Sequence, residues 1–164
     1  MSPPIKRRRD GRYAIKLDED VRTVLAELAR QMIPAVENRD PMTRRLFPPA
    51  YPAEALSDVE ADYRELVDTP LTNHHRDALS VLIETSESDT LSESELDAWL
   101  SAVGTMRLVL GTRLDVTEDM PAPGPDDPSA AEYGFFEFLG QLQYLIVEVL
   151  SDHLPDEGFP EGTL

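Results

Sequence analysis

Two neighbouring histidines are the residues of this chain that come closest to a metal site. On a helix, His74 and His75 point about 100° apart, so they do not easily bind one ion, although Asp77 lies nearby. The pattern is typical of a solvated helix start. His153 lies near the end of the last predicted helix, where a cation interacts favourably with the helix dipole. We therefore predict no metal and no other cofactor.

The abundant carboxylates do not form a recognisable catalytic pair. Glu60 with Asp62, and Asp126 with Asp127, fit solvated faces or loops. Neither pair has a neighbour that would tune one carboxyl as an acid and the other as a base. The sequence also lacks the motifs of serine nucleophiles, phosphate-binding loops, dinucleotide sites and zinc hydrolases. We therefore expect that the chain is not an enzyme, with an unrecognised active site as an alternative.

Four arginines stand out in a chain that is otherwise acidic: Arg44, Arg45, Arg107 and Arg113. One interpretation is structural, with ion pairs and helix-end bonds tying residues 41–52 to a central helix. The other is functional, because Tyr, Trp and Arg are enriched at binding hot spots. The candidate protein-binding residues are then Arg44, Arg45, Phe47 and Tyr51. The candidate structural residues are Trp99, Arg107, Gly111 and Arg113.

Residues 96–119 predict a central, buried helix. Apolar residues recur there at the i, i+3, i+4, i+7 spacing of one helix face, and Leu108 and Val109 add apolar surface on the other side. Arg107 and Arg113 lie within it. Because an unpaired buried charge is costly, we expect at least one of these arginines to be mostly buried and bonded to a carboxylate or carbonyl.

The other elements follow from periodicity and from helix start and stop signals. A first helix begins near Asp18 and is kinked or ended by Pro34. Residues 12–17 alternate in polarity and could form a short strand, although no second strand is predicted to pair with it. The remaining predictions are helical turns at 40–46, extended backbone at 47–52, helices at 53–67 and 71–86 separated by Pro70, a capping box of Ser92 and Glu95, a loop at 119–129, and a helix at 130–153.

The last predicted helix carries apolar and aromatic residues on several faces from Phe135 to Leu150. One contact face cannot bury them all, because the helical period is 3.6 residues. Either this helix threads the middle of the bundle, or a second copy of the chain covers one of its faces. We favour the first arrangement, and therefore a monomer over a homodimer.

The net charge of −17 is unevenly distributed along the chain. Six Lys and Arg residues against Asp10 give residues 1–16 a charge of +5, so the remainder carries −22. Such an acidic body repels nucleic acid and favours basic protein partners, which argues against direct DNA binding. The Lys6–Arg9 run could touch phosphate, dock on the acidic body or stay mobile, and we favour the last two.

Length and composition bound the domain organisation and the compartment. A chain of 164 residues fits one domain, and without cysteine it can form neither a disulfide nor a thiol switch. No apolar segment of signal-peptide length follows the basic start, and no stretch reaches the roughly 20 apolar residues of a membrane span. We expect a cytoplasmic protein that does not enter a membrane. Its predicted parts are a flexible basic arm at 1–11, a helical domain at 12–154 and a frayed tail at 155–164.

A resemblance to a known family rests on two short sequence motifs, which we call the two sequence words. They are RLFPPAYP at 45–52 and RLVLGTRL at 107–114, with Trp99 ahead of the second. These words resemble an actinobacterial family of unknown function that includes the oxidative-stress transcriptional regulator AosR. The resemblance runs from about Gly11 to the last helix. It implies a small cytoplasmic helical protein that acts on transcription through a stress sigma factor.

These observations predict a single all-α domain of five or six helices, with at most one short N-terminal strand. The predicted function is that of a non-enzymatic regulatory protein, which contacts a sigma factor or RNA polymerase as the resemblance implies. One alternative is an adaptor in ClpS/Clp-linked proteolysis, since relatives are commonly encoded beside a ClpS-type adaptor. The other is an enzyme with an unrecognised site. Polymerase or protease subunits in a pull-down would distinguish the first two.

Overall fold

A computed structural model describes residues 3–46, 57–117 and 121–152, without the side chains of residues 57–69. This part of the chain forms five helices and a three-stranded sheet, so the predicted helical class is confirmed. The α-helices are α1 (Glu19–Glu37), α2 (Ser57–Thr85), α3 (Glu93–Arg113) and α4 (Ala130–Ser151), and a 3₁₀ helix spans Pro41–Leu46. The strands are β1 (Ile5–Arg7), β2 (Tyr13–Ile15) and β3 (Thr90–Leu91).

Helix α3 is the centre of the fold, as its apolar residues predict. It packs against α2, α4 and the 3₁₀ helix. Its start is the predicted capping box, in which Ser92 Oγ accepts from Glu95 N at 3.1 Å and Glu95 Oε1 accepts from Ser92 N at 2.8 Å. Trp99 is fully buried, and its Nε1 donates to Thr85 Oγ1 at 2.7 Å. That bond satisfies the indole N–H inside the core and ties α3 to the end of α2.

Glycines let α3 and α4 approach closely. A Cβ added at Gly104 would lie 3.4 Å from Gln143 Nε2, one at Gly140 3.1 Å from Arg107 Nε, and one at Gly111 3.0 Å from Phe136 Cε2. Side chains of each helix therefore occupy the space above glycines of the other. Because the partner numbers fall along α4 as they rise along α3, the two helices are antiparallel.

Pro34 and Pro70 both lie within helices, so the predicted break at Pro70 is wrong and Pro34 does not end the first helix. Helix α1 continues through Pro34 to Glu37, and the helices predicted at 53–67 and 71–86 form the single helix α2 through Pro70. A proline removes one helical hydrogen bond and crowds the preceding turn. Pro34 and Pro70 are both exposed, so each proline ring lies on the solvent side of its helix.

Helix α4 lies on the outside of the bundle, so the expectation that it threads the middle is wrong. Its main contacts are with α3 and β1, and its buried residues are Leu139, Leu142 and Ile146. On the opposite side, Tyr144 is 65% exposed and Val147 is 45% exposed. Helix α3 occupies the central position instead, and within the described part of the chain one face of α4 is exposed.

The two N-terminal strands and β3 form an antiparallel sheet of strand order β1-β2-β3. Ile5 pairs with Ile15, and Tyr13 pairs with Leu91. All four of these side chains are buried. The sequence predicts a flexible arm over residues 1–11, whereas in the structure residues 5–7 are a paired strand. The strand predicted within residues 12–17 is β2, and it has two neighbours rather than none.

Candidate functional site

The two arginines expected inside α3 are placed differently from the prediction. The Arg113 side chain is 57% exposed, and its Nη2 lies 3.2 Å from Glu132 Oε1. Arg107 is half-buried, and its buried Nε has no hydrogen-bond partner among the described residues. The Arg107 guanidinium instead lies 5.0 Å from the centroid of the Phe136 ring, a cation–π distance. Neither arginine is both buried and bonded, so that prediction is wrong.

Arg107 borders a shallow depression between α3 and the outer side of α4, which we call the α4 face. Its volume is about 690 Å³. The residues that line it are Arg107, Tyr133, Phe136, Glu137, Gly140, Gln141, Tyr144 and Leu145. Tyr133 and Phe136 are adjacent, with ring centroids 6.1 Å apart. The Tyr144 hydroxyl donates to Glu148 Oε1 at 3.3 Å, which holds this exposed ring along the helix.

The chemistry of the α4 face suits a protein contact. Tyr, Arg and other aromatic residues supply much of the binding energy at protein interfaces. Glu137 and Glu148 place carboxylates beside the apolar centre, so the complementary surface is apolar with basic neighbours.

Arg45, the first residue of one sequence word, lies beside Gly111 of the other, and residues 47–52 of the first word lie outside the described residues. Arg45 Nη2 donates to the carbonyl of Val116 at 3.3 Å, and its Nη1 lies 3.2 Å from a Cβ position at Gly111. Arg45 therefore ties the 3₁₀ helix to the end of α3, as the structural interpretation of this residue expected. Any larger side chain at position 111 would press on both Arg45 and Phe136.

The proposed protein-binding group is described only in part. Arg44 and Arg45 are exposed on the 3₁₀ helix, next to the partly exposed Met42. Phe47 and Tyr51 lie outside the described residues. The structure thus places two of the four candidates at the surface, and their role in binding a partner stays a prediction.

The histidine pair takes part in helix packing. His74 is exposed, whereas His75 is half-buried with its Nδ1 2.9 Å from Thr105 Oγ1 of α3. Burial, and secondarily the charge of His74, lowers the pKa of His75. Among the described side chains, those of residues 3–46, 70–117 and 121–152, no three His, Cys, Asp or Glu are grouped so that they could hold a metal.

Sequence reasoning missed an arginine that is buried, Arg22 of α1, which is 9% exposed. It donates to four backbone carbonyls, those of Ile15 (2.7 Å), Leu17 (3.0 Å), Ser86 (3.1 Å) and Ser88 (2.7 Å). A signal was present, because position 22 lies in helical phase with the buried Leu25 and Ala29. Its geometry is structural, since these bonds engage each of its three nitrogens.

Comparison with known proteins gives the family. The profile of a domain of unknown function, DUF2017, matches residues 1–150. This chain belongs to the DUF2017 family. It is 31% identical over 127 residues to the oxidative stress regulator AosR of Mycobacterium tuberculosis and to that of Mycobacterium bovis, covering 68% of this chain and 58% of each relative.

A putative oxidative stress regulator AosR of Mycobacterium leprae is 30% identical over 129 residues, covering 68% of this chain and 59% of the relative. The resemblance found from the two sequence words is thus confirmed. The chain spans less than two thirds of the length of these relatives. No solved structure matches the chain. Among the helices that the structure describes, none is long and apolar enough to cross a membrane.

Proposed function

We propose that this chain is a non-enzymatic, cytoplasmic regulator of the oxidative-stress response, which acts as a monomer by binding a sigma factor or another part of RNA polymerase. The relatives named as oxidative stress regulators support the regulatory role. The α4 face supports the mode of action and is the observation that carries the proposal. It is open, aromatic and bordered by a half-buried arginine, as a docking surface requires.

Charge supports a basic partner for this surface. The chain outside residues 1–16 carries −22, so its field attracts a protein with positive charge and speeds the encounter. Tyr144 lines the α4 face, and Val147, three residues further along α4, extends the exposed apolar area beside it. A partner segment with an apolar stripe flanked by Lys and Arg would match the α4 face in both respects.

Two valines offer a matched test. Val147 on α4 is 45% exposed, and Val24 on α1 is 48% exposed. We expect Val147→Glu to abolish capture of polymerase or sigma subunits from a lysate of the native host, and Val24→Glu to leave capture unchanged. Both substitutions add the same charge at equally exposed helical positions, so a difference between them reports the surface rather than the charge.

Other outcomes would contradict the proposal. Capture of Clp protease subunits in place of polymerase subunits would favour the adaptor alternative. A change in sedimentation behaviour on Val147→Glu would make the α4 face a contact between two copies of this chain. A small molecule that raises the melting temperature and is turned over would show an enzyme.

A further inference from the structure

The residues of α4 that line the α4 face have the spacing with which one helix packs on another. Counted from Tyr133, they lie at i, i+3, i+4, i+7, i+8, i+11 and i+12. Residues three and four apart are neighbours on a helix surface, so these positions form one continuous stripe. The stripe ends at Leu145 and is about 18 Å long at about 1.5 Å per residue. The depression is therefore elongated along α4, as a groove that holds a helix would be.

The backbone chemistry of this face also favours a helical occupant. Helices α3 and α4 use their backbone N–H and C=O groups in bonds within each helix, so neither offers an edge to which an extended segment can add as a strand. An extended segment buried here would leave its own backbone groups without partners. An amphipathic helix satisfies its backbone internally and contacts the α4 face with side chains alone.

Arg107 places a cation at the middle of this groove. Its Nε lies 3.1 Å from a Cβ position at Gly140, so the side chain extends over that glycine. Its Cζ lies 5.0 Å from the centroid of the Phe136 ring, which covers one side of the guanidinium. Nε is buried, whereas the two Nη atoms are accessible and form no hydrogen bond or ion pair with another described residue. An acceptor brought by a partner can therefore reach Nη1 and Nη2.

Two carboxylates lie on the exposed side of α4, away from this cation. Glu137 and Glu148 are both exposed, and Glu148 accepts from the Tyr144 hydroxyl. They are separated by about 16.5 Å along the helix axis. A second copy of this chain would bring together two bodies that each carry −17, so charge disfavours it as the occupant. The charges instead match a helix with basic residues near its ends and one acidic residue near its middle.

We propose that the α4 face binds an amphipathic helix of about four turns, in which a central Asp or Glu pairs with Arg107. Lys or Arg residues nearer the ends of that helix meet Glu137 and Glu148. The inference rests on the proposed function, since it names the kind of partner element that the α4 face takes. A carboxylate can accept from both Nη atoms in the plane of the guanidinium, which leaves the contact with Phe136 in place.

The experiment is fluorescence anisotropy of the whole chain with a labelled synthetic peptide in about 0.15 M NaCl. The peptide is about 16 residues long and has leucines at i, i+4 and i+7 spacing, lysines beside this stripe and one central glutamate. We expect saturable binding, in which the leucines contact Tyr144 and Val147. Arg107→Gln in the chain, or glutamine in place of the glutamate in the peptide, should each weaken binding about 5-fold. Both changes together should weaken it no further, because each removes the same ion pair.

Matched controls separate the groove from the net charge. Arg113→Gln removes one positive charge from α3 outside the α4 face, and this variant should bind like the parent protein. Val147→Glu should weaken binding, and Val24→Glu at an equally exposed position of α1 should not. A peptide of the same composition with alternating leucine and lysine, the pattern of a strand, should bind at least about 10-fold more weakly. Unchanged far-UV circular dichroism would show that the variants are folded.

The outcomes distinguish this inference from the proposed function. Equal affinity for the alternating peptide, or absence of binding, would overturn the helical occupant. Losses that add when both partners of the ion pair are changed would overturn the role of Arg107. Peptide binding without capture of polymerase or sigma subunits would support the helix site and contradict the polymerase partner. Capture of those subunits that persists in Val147→Glu would overturn this use of the α4 face.

Discussion

At the scale of single residues, Arg22 holds a positive charge inside the protein with four carbonyl acceptors. The guanidinium has five N–H donors in a fixed plane, so it can serve several acceptors at once. The carbonyls come from the end of β2, the segment that leads into α1 and the turn after α2. Each would be costly if it were buried without a donor. Arg22 thus joins three segments of the chain through their carbonyl oxygens.

The first prediction follows from these bonds. Arg22→Met should lower the free energy of unfolding by about 3–5 kcal/mol, because two buried carbonyls and two partly buried ones lose their donor, and each buried one costs about 1–3 kcal/mol. Urea unfolding measures this. Arg30→Met is the control, since Arg30 is exposed and has a 3.5 Å surface pair with Glu27, which is worth less than about 1 kcal/mol. Equal effects of the two substitutions would show that the Arg22 bonds contribute little.

The second prediction concerns pH and His75. Its pKa is lowered in the folded state, chiefly by burial, so the unfolded chain binds the proton more readily. The stabilisation from neutral His75 is therefore present above its ordinary pKa of about 6.5 and is lost as the pH falls below that value. We expect His75→Gln to reduce the loss of stability between about pH 7.5 and 5.5, measured by urea unfolding. The His74→Gln variant should still lose most of this stability over the same pH range, because burial of His75 is unchanged.

The arginines also show what residue patterns can and cannot give. The apolar periodicity of α3 correctly predicts a buried helix around Trp99. It fails for Arg107 and Arg113 because one side of α3 meets solvent, as the 41% exposure of Leu108 shows. Arg22 was missed for the opposite reason, since a charged residue type hides a buried position. Its acceptors lie up to 66 residues away, and local sequence does not encode that proximity.

At the scale of secondary-structure elements, the crossing of α3 and α4 depends on glycines whose surroundings differ. A Cβ at Gly111 would meet Phe136 at 3.0 Å and Arg45 at 3.2 Å, whereas one at Gly134 would meet nothing within 4 Å. Both residues lie within helices. Substitution of Gly134 therefore tests only the backbone cost of glycine in a helix, whereas substitution of Gly111 also tests the packing between α3 and α4.

The third prediction uses this pair. Gly134→Ala should raise the free energy of unfolding by about 0.5–1 kcal/mol, the usual gain when alanine replaces glycine inside a helix. Gly111→Ala should be less favourable than Gly134→Ala by at least about 1 kcal/mol, because Phe136 and Arg45 must move. Thermal and urea unfolding of both variants measure the difference. Equal gains would mean that this crossing tolerates a methyl group.

The elements were predictable where their signals were local. The capping box of α3, the 3₁₀ helix after Asp40 and the extent of α4 all follow from sequence. The prolines misled the prediction of α1 and α2, since tertiary packing and solvent access outweigh a local preference. Strand β3 could not be predicted, because two residues carry no periodic pattern and are a strand only through their pairing with β2.

At the scale of the whole molecule, the relatives of this chain are named oxidative stress regulators, yet its own sequence contains no cysteine. A thiol switch cannot operate within these 164 residues. Of the methionines that the structure describes, Met42 is 38% exposed, whereas Met32 and Met106 are buried. Oxidants therefore meet sulfur at the surface of the 3₁₀ helix before they reach the core.

The fourth prediction follows. Diamide should change neither the mass of the chain nor its affinity for a cysteine-free partner. Hydrogen peroxide should oxidise Met42 before Met32 and Met106, as measured by mass spectrometry of proteolytic peptides. Replacing Met42 with Leu should leave the oxidation rates of Met32 and Met106 unchanged. Oxidation of Met106 at the rate of Met42 would contradict the described packing.

The link between the N-terminal sheet and the turn after α2 bears on how this protein emerges from the ribosome. Tyr13 pairs with Leu91, and Arg22 reaches carbonyls 64 and 66 residues further along the chain. An isolated two-stranded hairpin is marginal in water, so β1 and β2 gain lasting order when β3 arrives. The first segment to be synthesised therefore waits for residues near position 90. Until then its cations and its apolar residues are exposed to the cell's chaperones and proteases.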